Sequence, residues 1–381
     1  MIYNPTSIKH PTSKIKHQTS NIKHQTSNMS SSLLIYGANG YTGRLICERA
    51  ALLGLKPILA GRNGEEIREL ALTYGWEYRV FGLDTPEAVA EKIHDVKVVL
   101  HAAGPFMYTA KPMMEACLLA GVHYLDITGE IAVFEMAARR GERAKAAGVL
   151  LMPGTGFDVV PTDCLALYLK QQMPDATRLQ LAFVGQGGGV SRGTAGTMVE
   201  GLGKGGAVRV NGQLQHANFG QNSLNVPHPA KTFFAISIPW GDITTAYHTT
   251  GIPNIETYMG FSRRMYGWVK LMPYFKWLFS LSWVKKYIKK SVTGNRPGPS
   301  PQQRANGRSL VWGRVFNDKG ASIQAWLITK DGYTLTAITS LMIAQRVLQG
   351  DVKPGFHTPA GLYGADLIME VEGSERGMID Y

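Results

Sequence analysis

Cysteine is scarce in this 381-residue chain: Cys47, Cys117 and Cys164 stand far apart, with no CxxC pair among them. That excludes a disulfide framework and a structural zinc site, and it suits small buried thiols in a reducing, cytoplasmic setting. The ten histidines show no metal-ligand spacing either, so no metal is expected. Long apolar runs are missing. None approaches the roughly 18 residues of a membrane span, and the start of the chain holds no apolar core of a secretion signal. Acid is absent from two stretches: residues 1–28 carry Lys9, Lys14, Lys16 and Lys23, and residues 258–290 carry Arg263, Arg264, Lys270, Lys276, Lys285, Lys286, Lys289 and Lys290. Four and eight account for the whole formal charge of +12, and the remainder is neutral. Nucleic acid is therefore not an expected partner, since nucleic-acid-binding proteins spread base over a binding face.

What is present divides the chain. HPTSKIK, HQTSNIK and HQTSN form a short polar repeat that cannot build a core, so residues 1–29 read as a disordered low-complexity tail with the working chain beginning near Met29. From Leu33, short apolar runs alternate with helical stretches. LLIYG, PILAGR, YRVFGLD, VKVVLHAAG, HYLDITGE and VLLMPGTG read as strands, which predicts an α/β fold with a Rossmann-type, doubly wound parallel sheet over residues 30–160. After Pro161 longer strands and hairpin turns such as NDKG (317–320) predict a second, α+β domain with a mixed sheet over 161–339. A helix near Thr334–Arg346 and the rest of 340–381 are expected to pack back on the first domain.

GANGYTGR (37–44) follows the first strand and opens a helix. Gly37, Gly40 and Gly43 let the backbone turn and approach a pyrophosphate, which the helix N-terminus attracts with its free amides. Asn39, Tyr41 and Thr42 lie in the same loop. The second strand ends Gly61-Arg62-Asn63, where an NAD site would hold an acid for the ribose hydroxyl. Arg62 instead can fork onto a 2′-phosphate, so NADP is favoured. Asp84 ends the third strand, in reach of an adenine amine or as a plain turn residue. Ala102, Ala103, Gly104 and Pro105 end the fourth strand, where small residues suit the nicotinamide ribose or tight packing equally.

GANGYTGR, AGRN, AAGPF, GVHYLDITGE (121–130) and PGTGFDVVPTD (153–163) together resemble the saccharopine dehydrogenase-like oxidoreductases. GTAGTM (193–198), PGPSPQQR and GFHTPAGLYGADLI (355–368) extend the likeness over about residues 33–370. The resemblance is strongest to the branch of trans-acting enoyl reductases in lipid assembly. It implies NADP in a Rossmann domain and a second mixed-sheet domain that forms a homodimer and closes over the cleft. A saccharopine-type substrate needs cationic clamps, and Arg178, Arg192, Arg209, Arg308 and Arg314 are too scattered in sequence to assign to one.

Hydride transfer to a polarised double bond requires a proton donor or stabiliser. Tyr108, His123, Asp126, Thr128, Glu130 and Asp158 fall at strand edges facing the expected cleft. Asp126 and Glu130 lead as catalytic candidates, followed by Asp158 and Tyr108, because carboxylates desolvated near a nicotinamide can have raised pKa values. Thr128 reads as a structural cap. Tyr266 and Lys270 match a YxxxK spacing by chance, and Gly185–Val190 lacks the third glycine of a second nucleotide loop. The stretch 185–206, with ten glycines in 22 residues, suits either a mobile cleft loop or a tight turn.

Residues 258–290 interleave ten aromatic residues with their eight cations. This is the composition of a segment lying peripherally in a membrane interface, and equally of a helical insertion whose lysines snorkel to water. The expected function is an NADPH-dependent reductase of a C=C or C=N bond on a hydrophobic small-molecule or lipid-linked substrate. The alternatives are a non-catalytic dinucleotide sensor or scaffold, and a saccharopine reductase of lysine metabolism.

Overall fold

The computed structural model describes residues 32–187, 206–271 and 298–379. The N-terminal repeat, most of the glycine-rich stretch and residues 272–290 of the basic aromatic segment lie outside the described residues.

The first sheet is built from β1 (Leu33–Tyr36), β2 (Ile58–Gly61), β3 (Tyr78–Val80), β4 (Val98–His101), β5 (His123–Asp126), β6 (Leu150–Met152) and β15 (Gly355–Phe356). All pairings are parallel, in the order β15-β6-β5-β4-β1-β2-β3. LLIY, ILAG and VVLH are buried at every position. Unbroken apolar runs are what a parallel strand needs when helices cover both faces. The intervening helices are α1 (Tyr41–Leu52), α2 (Gly64–Tyr74), α3 (Pro86–Ile93), α4 (Phe106–Ala120), α5 (Ile131–Arg139) and α6 (Gly141–Ala146). Their ends follow local chemistry. Asn63 caps α2, which stops at Gly75 with φ +66°, and Thr85 followed by Pro86 starts α3. Strand order reverses between β1 and β4, and ligands bind at such switch points, beyond the carboxyl ends of the strands.

The second sheet contains β7 (Arg178–Gln186), β8 (Gly206–Val210), β9 (Gln213–Ala217), β10 (Ser223–Val226), β11 (Phe233–Ser237), β12 (Asn254–Gly260), β13 (Arg308–Phe316), β14 (Ser322–Lys330) and β16 (Glu375–Met378). Its main path runs β10-β11-β12-β7-β13-β14-β16, with the β8–β9 hairpin attached through β12. NDKG turns β13 into antiparallel β14 as expected. The β12–β7 pair is parallel, so the sheet is mixed.

Helix α7 (Val160–Gln172) packs on α8 (Asp242–Thr250) and against β13 and β14. Also present are α9 (Arg263–Leu271), α10 (Pro301–Asn306) and α12 (Pro359–Tyr363) in this half, and α11 (Gly332–Leu348), which belongs to the first. One apolar core passes from Ile35 and Leu100 through Leu165 and Leu169 to Leu181 and Val311, joining the two sheets. Burial of each such side chain stabilises by about 1.5–3 kcal/mol, so the sheets are held together by packing rather than by a linker.

The chain then crosses back. Helix α11, capped by Asp331, packs on α1 and against β4 and β5, β15 extends the first sheet beside β6, and β16 edges the second beside β14. Among the described residues no helix is long and apolar enough to cross a membrane.

Candidate active site

The loop after β1 is as tight as its glycines allow. Gly37 has φ +83°, and a Cβ there would sit 2.7 Å from the Ala103 Cβ. A Cβ on Gly43 would sit 2.2 Å from the Gly37 carbonyl oxygen. These contacts bring the GANGYTGR turn, the start of α1 and the Ala102–Pro105 loop into one cradle. Its shape and the amides of the first helical turn fit a pyrophosphate.

Asn39 and Asn63 serve this cradle as braces. Their side-chain amides donate to the two oxygens of Glu66, at 2.9 Å and 2.6 Å, and so tie the β1 loop to the β2 loop. Arg62 directly follows β2 and is exposed; Asp84 does not end the third strand, which stops at Val80, but lies exposed in the loop four residues on, ahead of the Thr85 cap of α3. Both act on the Tyr36 hydroxyl, which burial pushes up to about 12 while Arg62 pulls it down and Asp84 adds to the rise. The 2′-phosphate end of a dinucleotide would thus meet Arg62 in solvent. Thr42 lies half-buried in the first turn of α1, and Tyr41 is fastened from the other half of the molecule. Its hydroxyl donates to the Pro299 carbonyl and accepts from Arg304, and a Cβ on Gly298 would meet its ring at 2.6 Å.

At the Ala102–Pro105 side of the cradle, Ala102 continues the sheet through its amide to the Tyr36 carbonyl. His101 beneath is fully buried, and burial holds its imidazole neutral, down to about 3. The Thr109 hydroxyl donates to the Ala103 carbonyl at 2.7 Å, so His101 Nε2 carries the proton it offers to Thr109 at 3.0 Å. This pair braces the Ala102–Pro105 loop and was missed from sequence.

The leading catalytic candidates are taken up by backbone. Asp126 is buried: Oδ1 accepts from Thr128 N and Gly154 N, Oδ2 from the Tyr124 hydroxyl, and burial pushes the carboxyl up to about 7. It knits the β5 loop to the β6 loop. The Glu130 carboxylate accepts from Phe106 N at 2.9 Å and Met107 N at 2.7 Å. It caps α4 from a distance, because Pro105 at that N-cap offers no side-chain bond. Both carboxylates position the cleft edge in this structure. Tyr108 is 63% exposed on α4, and His123 accepts from Leu150 N, a bond that braces β6. Thr128 is buried, with its hydroxyl on Glu130 N, which matches its reading as a structural cap.

Asp158 differs. It is half-buried, it carries no side-chain hydrogen bond to a described residue, and it sits against Gly129, where a Cβ would lie 2.7 Å from Oδ2. Burial and the nearby Glu130 charge push it up to about 7. Its carbonyl accepts from Trp240 Nε1 at 2.8 Å. Trp240, Phe183 and Phe157 form a contiguous aromatic wall beside it, with ring centroids 4.8 and 5.7 Å apart. Sequence reading missed this wall because its members come from three distant segments.

Residues 33–152 match the family profile of the saccharopine dehydrogenase NADP binding domain. This stretch is therefore an NADP-binding domain, in accord with the cradle and with Arg62. Relatives align over the same part. The mouse saccharopine dehydrogenase-like oxidoreductase is 27% identical over 161 residues, 37% of this chain and 38% of its own length. The trans-acting enoyl reductase of Mycobacterium leprae is 31% identical over 143 residues, 34% of this chain and 33% of its own length. The alignments thus span about a third of the length of these relatives. The fold as a whole is similar to apo saccharopine dehydrogenase (L-Glu forming) from Saccharomyces cerevisiae, with a TM-score of 0.60 at 12% identity, over 91% of this chain and 99% of that one.

Proposed function

We propose that the protein is an NADPH-dependent oxidoreductase that reduces a C=C or C=N bond of a hydrophobic substrate, in the manner of the lipid-assembly enoyl reductases. Asp158 carries this reading: a half-buried carboxyl with a pKa near neutrality, set between the Gly129 turn and an aromatic wall. The cofactor supplies hydride when bound. Ala102–Pro105 would bed its nicotinamide ribose, and Glu130 keeps that loop seated by holding the α4 amides. Asp158 would hold and deliver a proton at the far side of the acceptor, where a pKa near 7 matches the working pH.

The substrate class follows from the walls. Phe157, Phe183 and Trp240 favour apolar matter, while a polycarboxylate would need converging guanidinium groups. Arg178 and Arg314 lie over Phe316 at the opposite end of the second sheet, Arg209 pairs with Glu135, and Arg308 donates to the Ala305 and Gly307 carbonyls. Arg192 is outside the described residues. These placements weigh against the saccharopine reading. The test is NADPH oxidation monitored with medium- and long-chain 2-enoyl thioesters, set against NADP+ reduction monitored with saccharopine as the competing substrate. Turnover of the enoyl series supports the proposal, and turnover of saccharopine alone overturns it. NADPH binding without turnover of any acceptor would favour the sensor reading.

A further inference from the structure

Helix α9 has one face fastened and one face bare. Tyr266 donates its hydroxyl to the Gly220 carbonyl at 3.1 Å and packs its ring on Phe234, and Val269 is buried against Gly220. At about 100° per residue, inward Tyr266 and Val269 place Arg264, Gly267 and Trp268 on the opposite side. Trp268 is 75% exposed and Met265 is 58% exposed. Arg263, Arg264 and Lys270 are exposed around them. Two of these cations ride over rings: Arg263 lies 4.9 Å from the Phe234 centroid and also hydrogen-bonds Asn225, and Lys270 lies 4.9 Å from Tyr266. No Asp or Glu occurs anywhere from residue 257 to residue 317. Beside the helix runs an open groove lined by Val184, Lys231, Phe234 and Phe261.

We propose that this bare face of α9, with the adjoining groove, docks on the anionic surface of a lipid bilayer. A tryptophan left three-quarters in water beside a methionine disfavours solvent, and the cations around it disfavour burial in a protein core. A headgroup interface satisfies both, since indole rings settle at that depth while Lys and Arg meet anionic lipid. An acid-free stretch removes the repulsion that would oppose such contact. The docking surface lies outside the cofactor cradle and does not depend on the catalytic reading.

The experiment is co-sedimentation of the full chain, without nucleotide, on vesicles of phosphatidylcholine alone or with phosphatidylserine, at low and high salt. Two variants accompany it, Trp268→Ala and the triple Arg263→Gln/Arg264→Gln/Lys270→Gln, each checked for folding by circular dichroism and for retained NADPH affinity. Binding to the phosphatidylserine vesicles is expected, weakened by salt and reduced at least about tenfold in each variant. Three results overturn the proposal: no vesicle binding, binding that both variants retain in full, or capture by an acidic polypeptide in place of vesicles.

Discussion

Arg304 of α10 donates a hydrogen bond at 3.0 Å to the hydroxyl of Tyr41, the first residue of α1, and that hydroxyl in turn donates a hydrogen bond to the Pro299 carbonyl at 2.5 Å. A segment of the second half of the molecule is thereby clasped to the phosphate-binding turn of the first. The Tyr41 ring also meets Tyr333, at the start of α11, edge-on at 5.1 Å. Tyr41→Phe keeps the ring contacts and removes the clasp. It is expected to leave the fold intact and to weaken NADPH binding by about fivefold, the worth of roughly one hydrogen bond. Isothermal titration would read it, and an unchanged affinity would show the clasp irrelevant to the cradle.

Arg62→Ala should separate the two nicotinamide dinucleotides. A lost charge-assisted contact to the 2′-phosphate is worth about 1.5–3 kcal/mol, or roughly ten- to a hundredfold in NADPH affinity. NADH, which lacks that phosphate, should bind the variant as it binds the parent. Titration of both nucleotides against both proteins checks this.

Asp158 should give the proposed reduction its pH dependence. A proton donor works only while protonated, and burial sets this one to about 7, so kcat/KM is expected to fall as pH rises through about 7. Asp158→Asn keeps shape and neutrality but has no proton to give. Its rate should drop by about 10²–10⁴, and the descending limb should disappear. A variant retaining the parental profile would sink the assignment.

Asp242 offers a stability test. It is fully buried, Oδ1 accepts from the Thr162 hydroxyl at 2.7 Å, and Oδ2 has no partner among the described residues. Burial, which outweighs that bond, raises its pKa well above 3.8. Because the folded value exceeds the unfolded one, its contribution is fully present below about pH 4. It is lost as pH climbs toward the raised value. Asp242→Asn, a standing mimic of the neutral acid, should therefore raise Tm at pH 8 by a few degrees and make little difference at pH 4. Thermal melts at the two pH values decide it.

Gly43→Ala should abolish nucleotide binding and destabilise the fold, since its Cβ would meet the Gly37 carbonyl oxygen at 2.2 Å and the Ala38 carbonyl oxygen at 2.8 Å. Gly267→Ala is the control. Space there is open, φ is not in the left-handed region, and an exposed helical site should gain about 0.5–1 kcal/mol. Chemical denaturation of both variants makes the comparison.

Six of the seven strands of the first sheet were legible because they fall in short runs bounded by glycine or a helix cap, and such signals are local; the two-residue β15, more than 200 residues after β6, was not. The β13–β14 hairpin was legible through NDKG for the same reason. The parallel pairing of β12 with β7 was not, because nothing in NIETYMG names a partner some 70 residues earlier. In the site, the tight glycine turn after β1 could be read by position alone. Asp126 and Glu130 could not, since a carboxylate at a strand end looks the same whether it awaits a substrate or receives backbone amides. The amides that occupy them come from segments up to 28 residues away. The same holds for Trp240, Phe183 and Phe157, which are ordinary aromatics until the fold stacks them.

The late return of β15 to the first sheet and of β16 to the second has a consequence for how the chain emerges from the ribosome. Neither sheet has its full set of strands until residues beyond Gly355 have been synthesised. Contacts of such long sequence separation form slowly. The dinucleotide-binding half must therefore wait, one edge unpaired and one flank without α11, while the whole second half is made, and a chaperone that shields β6 would be most needed in that interval.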